Sequence, residues 1–180
     1  MQASTRELLS PEAWVESAFR ALQSLPKICE RLNQPVAEAE HLAIALLEEG
    51  GDKGMASRVL AAAGASPAAV RAGFEAYAAR QPKVFNGSQK ADANSINVGS
   101  SLGRLLESAA AQRSLLTDDF LSAEHVLLAL LNDNRCGRAV LKEAQPDLGQ
   151  QTLRAAIDQV ARTHAHRLPQ WAPAAVKARA

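Results

Sequence analysis

The sequence predicts an all-α fold, and three observations predict it. Alanine, the strongest helix former, supplies 37 of the 180 residues. Aromatic residues, which strands favour, make up only 4%. Apolar residues recur at helical rather than alternating spacing, as in Val15, Phe19, Leu22 and Leu25. A hydrophobic fraction of 47% excludes a disordered chain, and a chain of this length buries enough surface to need neither disulfide nor metal.

The elements follow in order. Ser10-Pro11-Glu12 reads as an N-cap, a proline at the first helical position and an acid in the first turn. The helix it opens should kink or restart at Pro26 and continue through Ile28, Cys29 and Leu32. A second helix covers about 38–49 and is stopped by Gly50-Gly51. A third covers about 54–63 and ends at Gly64; a fourth, about 67–80, is capped by Ser66-Pro67 and stopped by Pro82. Residues 82–97 are rich in Asn, Ser and Gly, lack an apolar period and read as a flexible linker. Further helices are expected at about 99–115, 123–133 (with Ser122 as N-cap), 136–144 and 150–165. Residues 1–11 read as an N-terminal extension, and 166–180, with Pro169 and Pro173, as a disordered tail.

These helices form two copies of one unit. Ala39-Glu-His-Leu-Ala-Ile-Ala-Leu-Leu47 matches Ala123-Glu-His-Val-Leu-Leu-Ala-Leu-Leu131 at an offset of 84, with six of nine residues identical and the rest apolar in both. Val59-Leu60 matches Val140-Leu141, and Val70-Arg-Ala-Gly-Phe-Glu75 matches Leu153-Arg-Ala-Ala-Ile-Asp158. Each copy reads as four helices, about eight in all, in one compact domain at 12–165: repeat one at 12–81 and repeat two at 98–165.

Several function classes are excluded or disfavoured. A net charge of +1 gives no concentrated basic face, so no nucleic-acid partner is expected. No apolar run reaches the roughly 18 residues of a membrane helix, and none is expected. Cys29 and Cys136 form no CxxC and read as buried thiols of a reducing compartment. No Gly-x-x-x-x-Gly-Lys-Ser/Thr is present, so no nucleotide site, catalytic residue, cofactor or metal is expected. Arg104, Arg113, Arg135, Arg138 and Lys142 are spread over several helices and read as a solvated face.

The doubled unit, AEHLAIALLEEG…ASRVLAAAGA and SAEHVLLALLNDN…GRAVLKEA, resembles the Clp N-terminal (Clp R, double Clp-N) domain that precedes the motors of AAA+ unfoldases. Leu25-Pro-Lys-Ile28 and Arg80-Gln-Pro-Lys-Val84 are similar to ClpB-type disaggregases, especially cyanobacterial and chloroplast forms. The resemblance implies a non-catalytic domain that binds exposed apolar segments of unfolded or aggregated clients, or adaptor proteins, in the chloroplast stroma or the cytoplasm. An alternative is a free-standing accessory subunit that docks on a Clp protease core or its AAA+ chaperone. Whether the chain is a fragment, a truncated product or free-standing stays open.

The resemblance also implies a client groove, whose matching positions are Val15, Leu106, Ser108, Glu124 and His125. Leu106 has an equal reading as plain core. Glu40 and Glu124 open their helices, where a carboxylate favours the positive end of the dipole by about 0.3–1 kcal/mol. In ClpC-type relatives the equivalent glutamates, in a Thr-Glu-His context, are implied to grip the guanidinium of phosphoarginine. Here Ala39 and Ala123 replace both threonines and remove the hydroxyl donors. His41 and His125 are expected to make structural hydrogen bonds, and Phe120 and Leu121 to anchor the second Glu-His helix in the core.

Overall fold

A computed structural model describes residues 5–83 and 97–165; the expected tail, and all of the expected linker but its ends, lie outside them. The fold is all-α, with no strand among the described residues. The helices are α1 (Thr5–Leu8), α2 (Glu16–Gln23), α3 (Leu25–Leu32), α4 (Ala39–Glu48), α5 (Met55–Ala62), α6 (Pro67–Ala79), α7 (Ser100–Leu116), α8 (Ala123–Leu130), α9 (Gly137–Ala144) and α10 (Gln150–Ala165).

Local chemistry sets most of these boundaries. Ser66 Oγ accepts from Ala69 N–H and caps α6, with Pro67 as the first helical residue. Gly50 and Gly51 follow α4 at φ 72° and 54°, a conformation that costs a residue with a Cβ. Pro26 sits in the first turn of a new helix, so the predicted long first helix divides at Ser24 into α2 and α3. Its counterpart α7 has no proline and runs unbroken for 17 residues. Ser10 and Pro11 open a 3-10 turn at Pro11–Ala13 rather than α2, whose N-cap is Val15. The missed element is α1: four residues are too few to show a period, yet Leu8 is buried and its carbonyl accepts the Trp14 indole N–H at 2.6 Å.

The two repeats are interlocked rather than placed side by side. Val15 N–H donates to Leu121 O (2.8 Å) and Leu121 N–H to Ala13 O (2.7 Å). Equivalently, Gly99 N–H donates to Ala37 O and Ala37 N–H to Asn97 O, both at 2.8 Å. The two sets are related by the offset read in the sequence: 97 − 13, 99 − 15 and 121 − 37 all equal 84. Asn33 and Thr117, also 84 apart, both end their helices in the left-handed conformation at φ 57° and 58°. Thus the lead-in to the first helix of each repeat pairs with the lead-in to the Glu-His helix of the other.

The same exchange holds in the packing. α6 packs on α9 of the second repeat, and α10 on α5 of the first. The two Glu-His helices, α4 and α8, sit at the centre: Leu42, Ile44, Val126 and Leu128 are fully buried. Alanines between them, Ala43, Ala45 and Ala129, are also buried and let neighbouring helices approach closely. At the crossing of repeats, the carboxyl of Glu38 accepts from Ser101 N–H at 2.9 Å. That carboxyl lies where a Cβ on Gly99 would sit, with Cδ at 2.1 Å, so a side chain there would have to push the Glu38 carboxyl off Ser101.

Candidate functional site: the Glu-His helix starts

The residues singled out by the sequence motif converge on the first turns of α4 and α8. Each turn uses its histidine as part of the cap. Glu38 N–H donates to His41 Nδ1 at 2.9 Å, and Ser122 N–H to His125 Nδ1 at 3.0 Å. A ring nitrogen that accepts from a backbone donor carries no proton, so in both rings the proton is on Nε2. His41 Nε2–H donates to Gln34 Oε1 (2.7 Å), and His125 Nε2–H to Asp118 Oδ2 (3.1 Å). Gln34 in turn donates its amide to Ala78 O at 2.7 Å, which ties the end of α6 to the lead-in of α4. Gln34 and Asp118 are again 84 apart.

Both imidazoles are held neutral. Burial, the largest influence, lowers each pKa below 6.5, against the opposing pull of Glu40 and Glu38 on His41 and of Glu124 and Asp118 on His125. Arg135 and Arg113 add to the lowering. The unfolded chain therefore binds more protons just below pH 6.5 than the folded one. The stability these rings support is complete above that value and is lost as pH falls through their lowered folded-state values. The urea midpoint is expected to fall between pH 7.5 and pH 5. A midpoint that stays level or rises over that range contradicts the assignment.

Glu40 and Glu124 have equivalent positions and different fates. Glu40 is 1% exposed, and both its carboxylate oxygens are taken by Arg135, with Arg135 Nη2 at 3.0 Å from Oε1 and Nη1 bonded to Oε2. The Arg135 guanidinium also lies over the Tyr77 ring, 5.2 Å from its centroid. This corrects the reading of Arg135 as a surface charge: it comes from the loop before α9 and spans the repeats. At Glu124 the equivalent of Arg135 is Gly51 (135 − 84 = 51). Glu124 is half-buried, and its Oε2 is enclosed without a hydrogen-bond partner among the described residues.

The groove candidates do not form one surface. The Val15 backbone pairs with Leu121, just ahead of α8, whose first turn carries Glu124. Ser108 faces the other end of α8, in a cleft with Ala129, Asn132 and Arg135. Leu106 and His125 are closed off, 0% and 1% exposed, because α7 packs its apolar face on α8. Neither side chain offers a client any surface in this conformation. Phe120 is a further correction. Leu121 is buried as expected, but Phe120 is 50% exposed, since the parallel pairing turns its neighbour inward and leaves it outside.

Sequence reasoning missed the exposed apolar side chains Val36 and Leu115, 37% and 65% exposed. Val36 and Phe120 are 84 apart, so both repeats expose an apolar side chain just before a Glu-His helix. Val36 lies at an open cleft of about 380 Å³ lined by Gln34, Pro35, Glu38, Pro82, Lys83 and Arg135. The signal was available as the alternation within Pro35-Val36-Ala37, but the sequence cannot say which of two adjacent apolar residues faces in.

Other reactive groups are structural. Burial pushes the Cys29 thiol up to about 11 and raises Cys136 as well, so neither is a ready thiolate. Asp133 caps α9 by accepting from Arg135, Cys136 and Gly137 N–H at 3.2, 3.0 and 2.8 Å. Burial works to raise its pKa, but these donors outweigh it and hold the carboxyl below its usual value. No group of three metal-ligating side chains occurs among the described residues, and no described helix is long and apolar enough to cross a membrane.

Comparison with known proteins matches this geometry to a family. Residues 15–144 match the Clp repeat (R) N-terminal domain. The chain is 37% identical over 134 residues to chaperone protein ClpB 2 of Nostoc sp., covering 74% of this chain and 14% of that protein. It is 30% identical over 158 residues to the chloroplastic ClpB3 of Arabidopsis thaliana, covering 88% of this chain and 15% of that protein. The chain thus spans about one seventh of these relatives' length. Among solved structures, the N-terminal domain of the ClpV1 ATPase from E. coli overlays with a TM-score of 0.66 at 21% identity, covering 88% of this chain and 90% of that one. The repeated Glu-His helices, their crossed lead-ins and the extent of the match carry one conclusion: the chain belongs to the Clp repeat N-terminal domain family.

Proposed function

We propose that this chain is a non-catalytic binding domain of a ClpB-like chaperone, engaging exposed apolar segments of unfolded clients or of adaptor proteins. The observation that carries the reading is the open cleft beside Val36. It presents an accessible apolar side chain between Pro35 and Pro82, while its one buried carboxylate, Glu40, is already neutralised by Arg135. An extended apolar side chain entering there buries surface at roughly 25 cal/mol per Å² without displacing a charge pair. Affinity should be modest, because ordering a flexible client offsets much of that gain. The half-buried Val15, Ser108 and Glu124 are the further contact candidates. The cyanobacterial and chloroplast relatives support a reducing compartment, stroma or cytoplasm.

Fluorescence anisotropy with a labelled, permanently unfolded protein tests the assignment. Val36→Asp should weaken binding several-fold with unchanged helicity, whereas Lys27→Glu, on the exposed face of α3, should not. Equal binding by Val36→Asp and the parent removes the cleft from the binding surface. A parent chain that binds neither unfolded protein nor a partner subunit removes the function.

A further inference from the structure

The charged groups around the Val36 cleft do not balance once their internal partners are counted. Two carboxylates line it. Glu38 lies where two helices start, and accepts from Ser101 N–H at 2.9 Å and from His41 N–H. Both helix starts offset its charge, because a carboxylate is favoured at a helix N-terminus. Glu40 is taken up by Arg135 through both of its oxygens. The Gln34 amide is likewise spent, its N–H on Ala78 O and its oxygen on His41. The cations are less fully used. Arg135 gives two N–H donors to Glu40, and its side chain, 29% exposed, keeps others. Lys83 is exposed at the rim and has no carboxylate partner among the described residues. Arg80 is exposed and, among the described residues, equally without a carboxylate. Its guanidinium lies 5.8 Å from the centroid of the Tyr77 ring, the ring that Arg135 also covers. The cleft thus offers an apolar side chain, carboxylates already engaged and a surplus of cationic donors.

We infer that the segment engaging this cleft carries acidic side chains beside its apolar one: an apolar residue seated on Val36, with aspartate or glutamate next to it facing Lys83, Arg80 and the spare donors of Arg135. The inference rests on client or adaptor binding at Val36 and adds the chemistry that selects among partners. Apolar burial alone selects poorly, because it is non-directional and every unfolded chain offers leucine or valine. Charge supplies the discrimination. An acidic flank finds donors, whereas a basic flank meets Lys83 and Arg80 while both carboxylates of the cleft are already engaged. The Arg80-Gln-Pro-Lys83 run leaving α6 is then the edge that reads the flank. These rim charges face solvent, so each contributes little, and the preference should be about two- to five-fold and sensitive to salt.

Three fluorescein-labelled peptides with blocked ends give the test, by anisotropy against the full chain. Each holds one leucine pair, flanked on both sides by aspartate, by asparagine or by lysine. The aspartate peptide should bind tightest and the lysine peptide weakest, and the gap should shrink between about 50 and 500 mM salt. Lys83→Glu and Arg80→Gln should each weaken the aspartate peptide and leave the asparagine peptide unchanged. Far-UV helicity should hold, because both side chains are exposed. Val36→Ser should weaken all three peptides. Equal binding of the three, weakened in Val36→Ser, overturns the acidic preference and leaves the cleft as a binding surface. An aspartate preference that survives Lys83→Glu and Arg80→Gln combined also overturns it, since the acid is then read elsewhere. Peptide binding that Val36→Ser does not weaken, or no binding at all, removes the cleft itself and the inference with it.

Discussion

Arg135→Ala is expected to destabilise the chain by about 3–5 kcal/mol, because it strands the Glu40 carboxylate in the interior. For a chain of this size each kcal/mol lowers the melting temperature by about 2–4 °C, so the loss should reach roughly 6–20 °C. Most of this is the cost of an uncompensated charge rather than the worth of the pair. Taking two ions out of water costs nearly as much as their attraction returns. The pair replacement Glu40→Leu with Arg135→Met should therefore recover most of the stability that Arg135→Ala loses. Equilibrium urea unfolding of the three proteins decides the matter. If Arg135→Ala costs less than about 1 kcal/mol, the pair behaves as an exposed one, and the bidentate geometry at Glu40 is not maintained in solution.

Phe74→Ala should cost about 3–5 kcal/mol, the usual range for emptying a fully enclosed aromatic site. Phe74 is 0% exposed on α6, the helix that packs both on α4 of its own repeat and on α9 of the other. Its neighbour in the helix, Gly73, has no side chain because Val140 of α9 stands 2.7 Å from where a Cβ would sit. The consequence of the crossed packing is cooperativity. The Phe74→Ala protein should unfold in one transition at a lower urea midpoint, with the same midpoint by far-UV helicity and by the fluorescence of Trp14, which pairs with the second repeat at Leu121. Two separated transitions, with the second repeat keeping the parent's midpoint, would falsify the interlock.

The scatter of the expected groove positions has a physical basis in these same contacts. Leu106 and His125 matched the family's groove by position, but burial is a property of the surrounding helices and not of the motif. α7 lays its apolar face on α8, and that single packing decision encloses both. Phe120 and Leu121 show the same limit at one residue's resolution. Both are large and apolar, and only the pairing of Leu121 with Trp14 selects which one is enclosed.

Much of this protein was legible from its sequence alone. The helical class follows from composition, and the helix ends follow from capping and breaking residues such as Ser66, Pro67 and Gly50, whose preferences are local. The two-fold repetition follows from the offset of 84 residues, which recurs unchanged in the crossed hydrogen bonds. What only the tertiary structure decided is everything that pairs residues far apart in the chain. Arg135 looked like a solvated charge until it was placed 95 positions away on Glu40, and Glu124, identical in motif, was left without such a partner because Gly51 stands in the corresponding place. Local preferences act through backbone geometry that neighbouring residues fix. Burial and charge pairing act through space, and a linear sequence does not state which elements meet there.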